Sequence, residues 1–241
     1  MKWFSAVLVV MLFACNKTPG VIPSGSGTVN PGLTAPPLVT GDSVAYLALG
    51  DSYTYGVGLS QDQSFPFQLA AQLRAQSYVA KDPLVVAFQG WKAADLLAGI
   101  ASRNITKKFD FVTILIGVND QNKGTDPKLY TMQLDSLINE ATAFAHGYSN
   151  RVFVISIPDW SVTPFAVGMN TSQIRMGVAL FNTINEAESK RLGANYVDIS
   201  PLSEQAATDA SLTGTDGLHP SAKGYALWVT QIQGSVIASF K

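Results

Sequence analysis

The strongest constraint on this chain is a series of short runs that are apolar from end to end, each followed by a segment of helical period. The runs are VAYLALG (44–50), PLVVAF (83–88), DFVTILIG (110–117), RVFVISIP (151–158) and the shorter Tyr196–Ile199. That is strand length, and a strand apolar on both faces is covered on both. Helical spacing follows each run. It is seen in 64–76 through Phe67, Leu69, Ala70 and Leu73, in 93–100, and in 127–146 through Leu134, Leu137, Ile138 and Ala141. It returns in 172–192 through Ile174, Val178, Phe181, Ile184 and Ala187, and in a last segment from about Pro220 to Phe240. Such alternation predicts an α/β fold, a three-layer α/β/α sandwich of flavodoxin-like type with a five-stranded parallel sheet. One domain is expected over 43–241.

The chain before that domain is of a different kind. Residues 1–14 place Lys2 ahead of an apolar run from Trp3 to Ala14, which is too short to span a bilayer and fits a signal peptide. The run ends Leu12-Phe13-Ala14-Cys15, similar to a bacterial lipobox, in which the Cys is lipidated and becomes the mature N-terminus. Either Cys15 is a lipid anchor, or the signal is an ordinary secretory one and Cys15 is incidental. Lipidation places the protein in the bacterial cell envelope, anchored to a membrane without spanning it. Residues 15–42 are rich in Pro, Gly, Ser and Thr and read as a flexible linker.

Composition excludes several functions. Across 241 residues, 16 Lys+Arg against 17 Asp+Glu leave a formal charge of −1, which argues against a nucleic-acid partner. One Cys rules out a disulfide framework and a Cys-rich zinc site, and two His make a His-rich metal site unexpected. No metal or cofactor is implied, and a monomer is expected. The same scarcity leaves few groups able to act as a base at neutral pH. His146 stands at the end of an amphipathic segment before Gly147, where a polar residue suits a helix C-terminus. His219 is the remaining candidate.

Ligand sites of doubly wound sheets lie beyond the carboxyl ends of the strands. The first run ends Gly50-Asp51-Ser52, the second Gln89-Gly90, the third Gly117-Val118-Asn119-Asp120, and Asp216-Gly217-Leu218-His219-Pro220 precedes the last helix. Pro220 suits that helix's first turn, which leaves His219 at its entrance. A serine hydroxyl needs a base, histidine is the usual one, and a carboxylate on its other nitrogen orients it. Backbone amides of Ser52 and Gly90 and the side-chain amide of Asn119 are candidate donors to an oxyanion. These four blocks, in this order, resemble the GDSL/SGNH hydrolase superfamily. The resemblance covers about 44–240 and implies ester hydrolysis through a Ser-His-Asp triad. By it, Ser52 is the nucleophile, His219 the base and Asp216 its orienter, with Ser52, Gly90 and Asn119 as oxyanion hole. Asp51 is expected to brace the nucleophile turn. Asp120 either braces its own block or faces the substrate.

Pocket candidates are Tyr53, Tyr55 and Trp91, together with Trp160, Phe165 and Met169 of the long loop 158–172. That loop either walls an acyl chain or sugar ring, or is pinned to the core by those side chains. Gln121, Asn122 and Lys123 are candidate contacts to a polar leaving group. The expected partner is a small-molecule ester, short-acyl or carbohydrate-linked. Lysophospholipase, thioesterase and non-catalytic binding lipoprotein are the alternatives.

Overall fold

The computed structural model describes residues 33–241. The five apolar runs form one parallel sheet: β1 Tyr46–Gly50, β2 Leu84–Ala87, β3 Phe111–Leu115, β4 Val152–Ile155 and β5 Asn195–Val197. Their spatial order is β2-β1-β3-β4-β5, the flavodoxin-like arrangement. All residues of β1, β3 and β4 are buried, whereas the edge strands β2 and β5 each keep two partly exposed ones. This is why the central runs read as continuously apolar. Tyr46 and Phe111 pair directly across β1 and β3 and stack with ring centroids 4.2 Å apart. The Tyr46 hydroxyl hydrogen-bonds Thr113 Oγ1 at 2.7 Å, so the buried phenol is satisfied within the sheet.

The helices include α1 Ser52–Tyr55, α2 Phe65–Ala75, α3 Ala93–Arg103, α4 Val118–Asn122, α5 Pro127–Phe144, α6 Thr171–Leu192 and α7 Ala222–Ser239, with a further single turn at Ser200–Ser203. α2 packs on α7, while α3 packs on α5 and α5 on α6, which gives the two outer layers. Local chemistry sets their starts. Asp126 accepts from the Lys128 and Leu129 amides ahead of Pro127, and Asn170 accepts from Gln173.

Some boundaries differ from the sequence pattern. Pro220 is not in the first turn of α7. Ser221 caps that helix by accepting from Gly224, and Pro220 forms an isolated antiparallel bridge with Thr213. β5 ends at Val197 and does not reach Ile199, because the Ile199 amide donates to Ser156 Oγ at 2.9 Å. His146 is exposed just beyond α5, in the left-handed region at φ 57°.

The expected flexible linker is not free in its last ten residues. Ala35 N donates to Asn150 Oδ1 (3.3 Å), Arg151 Nη2 to the Pro36 carbonyl (2.5 Å) and Leu38 N to the Phe240 carbonyl (2.8 Å). Pro36 and Pro37 hold the segment extended, and their carbonyls remain free to accept. The Arg151 guanidinium also lies over the Phe240 ring, 4.8 Å from its centroid, and Phe240 contacts Phe111 at the start of β3. This strap therefore crosses the edge where the strands begin, opposite their carboxyl ends. The signal peptide, Cys15 and the linker up to residue 32 lie outside the described residues.

Arg151 is 3% exposed, so losing it removes both a carbonyl partner and packed stem. Arg151→Ala is expected to cost about 1–3 kcal/mol and to open the Leu38 region to thermolysin. An unchanged melting curve and cleavage pattern would show that the strap is not held by this side chain.

Candidate active site

At the carboxyl edge of the sheet, β1 runs into Gly50-Asp51-Ser52. A Cβ on Gly50 would stand 2.1 Å from Thr54 Oγ1 and 2.4 Å from the Leu115 carbonyl oxygen. Only glycine fits where the chain turns from strand into α1. Asp51 caps α1 by accepting from the Tyr53 amide at 3.0 Å. From the other side, the Tyr225 hydroxyl on α7 donates to the Tyr53 carbonyl at 2.8 Å. Ser52 thus sits on a short helix whose next residue, Tyr53, is held through both its amide and its carbonyl.

Ser52 Oγ is 2.9 Å from His219 Nε2, and His219 Nδ1 is 2.5 Å from Asp216 Oδ2. With the carboxylate accepting from Nδ1–H, Nε2 is left to accept from the serine hydroxyl. Ser52 and His219 are each 5% exposed, while the Asp216 side chain is 39% exposed. The turn that carries the pair is over-determined. Asp216 Oδ1 accepts from the Leu218 and His219 amides, and Gly214 N donates to the His219 carbonyl at 2.7 Å. Partial burial opposes ionisation of Asp216, but the hydrogen bonds from the His219 ring and from these two amides together hold its carboxyl below the usual range.

The second and third blocks meet beside Ser52. Asn119 Nδ2 donates to the Trp91 carbonyl at 2.9 Å, and Asp120 Oδ2 accepts from the Ala93 amide, also at 2.9 Å. Asp120 is wholly buried and holds the N-terminus of α3, so it braces its block and does not face a substrate. Gly90 has φ 80°, and Lys123 Nζ lies 3.4 Å from its carbonyl. Neither the Ser52 nor the Gly90 amide donates to another backbone group among the described residues. Asp51, also wholly buried, has one oxygen without a partner. Burial pushes its carboxyl up to about 8 against the opposing Tyr53 hydrogen bond, and the Asp120 charge adds to the rise.

The pocket candidates divide into two groups. Tyr53 is 2% exposed and packs on the His219 ring (5.1 Å between centroids) and on Trp228 (6.0 Å). It backs the imidazole and presents no face to an open pocket. Trp160 is 4% exposed, and its indole N–H donates to Gln121 Oε1 at 3.1 Å, so it pins its loop. Both line a cavity of about 20 Å³ beneath the His219 turn, with room for about one water and none for an acyl chain. Phe165 is half-exposed, but its backbone N–H donates to the Gly217 carbonyl at 2.9 Å, which ties the long loop to the Asp216 turn. Tyr55, Trp91 and Met169 stay accessible. The sequence reading missed the Trp91 carbonyl, the Tyr225 clamp and Phe88. In the sequence Phe88 only ends the apolar run 83–88, and its exposure was decided by the fold.

The model of the GDSL-like lipase/acylhydrolase family matches residues 48–227. The uncharacterized protein YpmR of Bacillus subtilis (strain 168) is 24% identical over 217 residues, spanning 82% of this chain and 83% of the relative. Among solved structures, TesA superposes with a TM-score of 0.65 at 19% identity, over 81% of this chain and 99% of its own. The psychrotrophic esterase EstA from Pseudoalteromonas sp. gives 0.63 at 18%, over 80% and 96%. The acetylxylan esterase Axe2 from Geobacillus stearothermophilus gives 0.62 at 19%, over 82% and 95%. These structures share the fold. The chain belongs to the GDSL-like lipase/acylhydrolase family and is a serine hydrolase acting on ester bonds.

The buried Asp51 has a thermodynamic consequence. Its carboxyl is raised in the folded state, so its stabilising contribution is full below the ordinary carboxylate range and is lost as pH rises toward about 8. Asp51→Asn keeps an oxygen for the Tyr53 amide and cannot ionise. The wild-type melting temperature should therefore fall more steeply than the variant's between about pH 5 and 8. Parallel profiles would show that Asp51 ionises freely.

Proposed function

We propose that this family member is a serine esterase for short-acyl or carbohydrate-linked esters, working through an acyl-enzyme. The observation that carries the reading is the hydrogen-bonded chain Ser52–His219–Asp216 at the carboxyl edge of the sheet. Ser52 Oγ attacks the ester carbonyl carbon while its proton passes to His219 Nε2. Asp216 stays ionised and stabilises the imidazolium. The Ser52 and Gly90 amides and Asn119 Nδ2 donate to the oxyanion as it forms. Asn119 has two N–H groups, so it can keep the Trp91 carbonyl and still supply one. Collapse of the intermediate expels the alcohol, which takes the proton from His219. A water then enters by the same steps and releases the acid.

We further propose that Cys15 anchors the chain at the bacterial cell envelope. The strap through Ala35, Pro36 and Leu38 supports an orientation in which the chain leaves the domain opposite Ser52, with the active site facing away from the anchor. Cys15→Ala should move the protein from the membrane to the soluble fraction.

Ser52→Ala should lower kcat by at least about 10³-fold on a short ester, and Asn119→Ala by about 10²–10³-fold. A Ser52→Ala protein with undiminished turnover would remove the nucleophile assignment. The wild-type rate should also fall toward acid pH, because a protonated His219 cannot accept the serine proton. Equal rates at pH 5 and 8 would contradict that role.

A further inference from the structure

Three aromatic side chains stand in a row beside Ser52, and the mechanism uses none of their rings. Tyr55 lies on α1 three residues after the serine and is 53% exposed. Phe88 directly follows β2, two residues before Gly90, and is 55% exposed. Their rings meet edge-on at 6.0 Å, and Phe88 meets Trp91 at another 6.0 Å. Large exposed rings are unfavourable in water unless something covers them. Here they form one continuous ledge along the nucleophile and oxyanion side of the site.

The Trp91 end of the ledge is preorganised. Trp91 lies against α3, where a Cβ on Gly99 would stand 2.4 Å from the indole Cη2. The Trp91 carbonyl is held by Asn119 Nδ2, so the ledge and a proposed oxyanion donor are joined by one hydrogen bond. Rings already fixed by packing lose little entropy on binding. Polar groups border the ledge, with Gln89 exposed between Phe88 and Gly90 and Lys123 beside the Gly90 carbonyl.

We propose that this ledge, chiefly Tyr55 and Phe88, holds the alcohol side of the substrate, and that this alcohol is a sugar ring. The inference rests on the esterase reading above. A ledge covers one face of its ligand and leaves the other wet, whereas a long acyl chain is stabilised by enclosure on all sides. A pyranose matches the one-sided surface. Its axial C–H face packs on the rings, and its hydroxyls reach water, Gln89 and Lys123. Tyr and Trp rings suit such a two-sided ligand because they combine an apolar face with a polar edge.

The test uses the wild-type chain, Tyr55→Ala, Phe88→Ala and the double variant, with Phe88→Tyr as the conservative control. Three substrates are compared: methyl 6-O-acetyl-β-glucopyranoside (an acetylated glucoside that keeps three free hydroxyls), ethyl acetate and ethyl decanoate. The double variant should lose at least about tenfold more kcat/KM on the acetylated glucoside than on ethyl acetate, a difference of about 1.4 kcal/mol. The loss should appear in KM, and Phe88→Tyr should retain most of the wild-type preference. Equal losses on the two acetates, or no loss on either, would overturn the ledge while leaving the esterase intact. A loss confined to the decanoate would assign the ledge to the acyl chain and overturn the proposal as well. A wild-type chain inactive on all three esters would bring down the esterase reading and the ledge together.

Discussion

A parallel sheet must be covered on both faces, and its connections must return along those faces as helices. The rest of the molecule follows from that constraint. It brings every strand to the same edge before the chain turns, so Gly50, Ala87 and Leu115 stand side by side in register. The segments that follow, which carry Ser52, Gly90 and Asn119, therefore emerge next to one another. The close approach at Gly50 is the tightest expression of this geometry. A side chain there would collide with the backbone of β3, so the strand pairing and the turn that carries Ser52 depend on the same missing atom.

Buried polar groups complete the site. Asp51 holds the start of α1, Asp120 the start of α3 and Asp216 the imidazole, each through amide or ring N–H donors. The first two are sealed in the protein, and burial works against their charge. Asp216 stays partly exposed and is held ionised by three donors. These carboxylates differ because of their surroundings, since their chemistry is the same. The long loop after β4 adds a further brace, since the Phe165 amide fixes the Gly217 carbonyl within the turn that carries Asp216 and His219.

Much of this was legible in the sequence. Continuously apolar runs gave away the central strands, because both faces of β1, β3 and β4 are buried. The four polar blocks at the run ends marked Ser52, His219, Asp216, Asn119 and Gly90. What failed was legibility of side-chain direction. Tyr53 and Trp160 look like pocket walls in a list of aromatics near the site, yet both point into the core. Their neighbours His219, Trp228 and Gln121 come from distant parts of the chain. Pro220 looked like a first-turn proline, but the Thr213 bridge, a contact within the loop, places it outside α7.

The amino-acid order by itself determined the layer architecture, the polar residue types Ser52, His219 and Asp216, and the edge of the sheet where such residues had to appear. These depend on period, residue type and local spacing, which are properties of neighbours along the chain. Tertiary structure alone decided that Ser52 and His219, 167 residues apart, meet at 2.9 Å. It also decided that residues 33–42 are strapped to the far edge, and that Tyr55 and Phe88 form an open ledge while Tyr53 is buried. Those outcomes depend on which distant surfaces pack together, and the spacing of residues along one segment does not specify the partner that covers it.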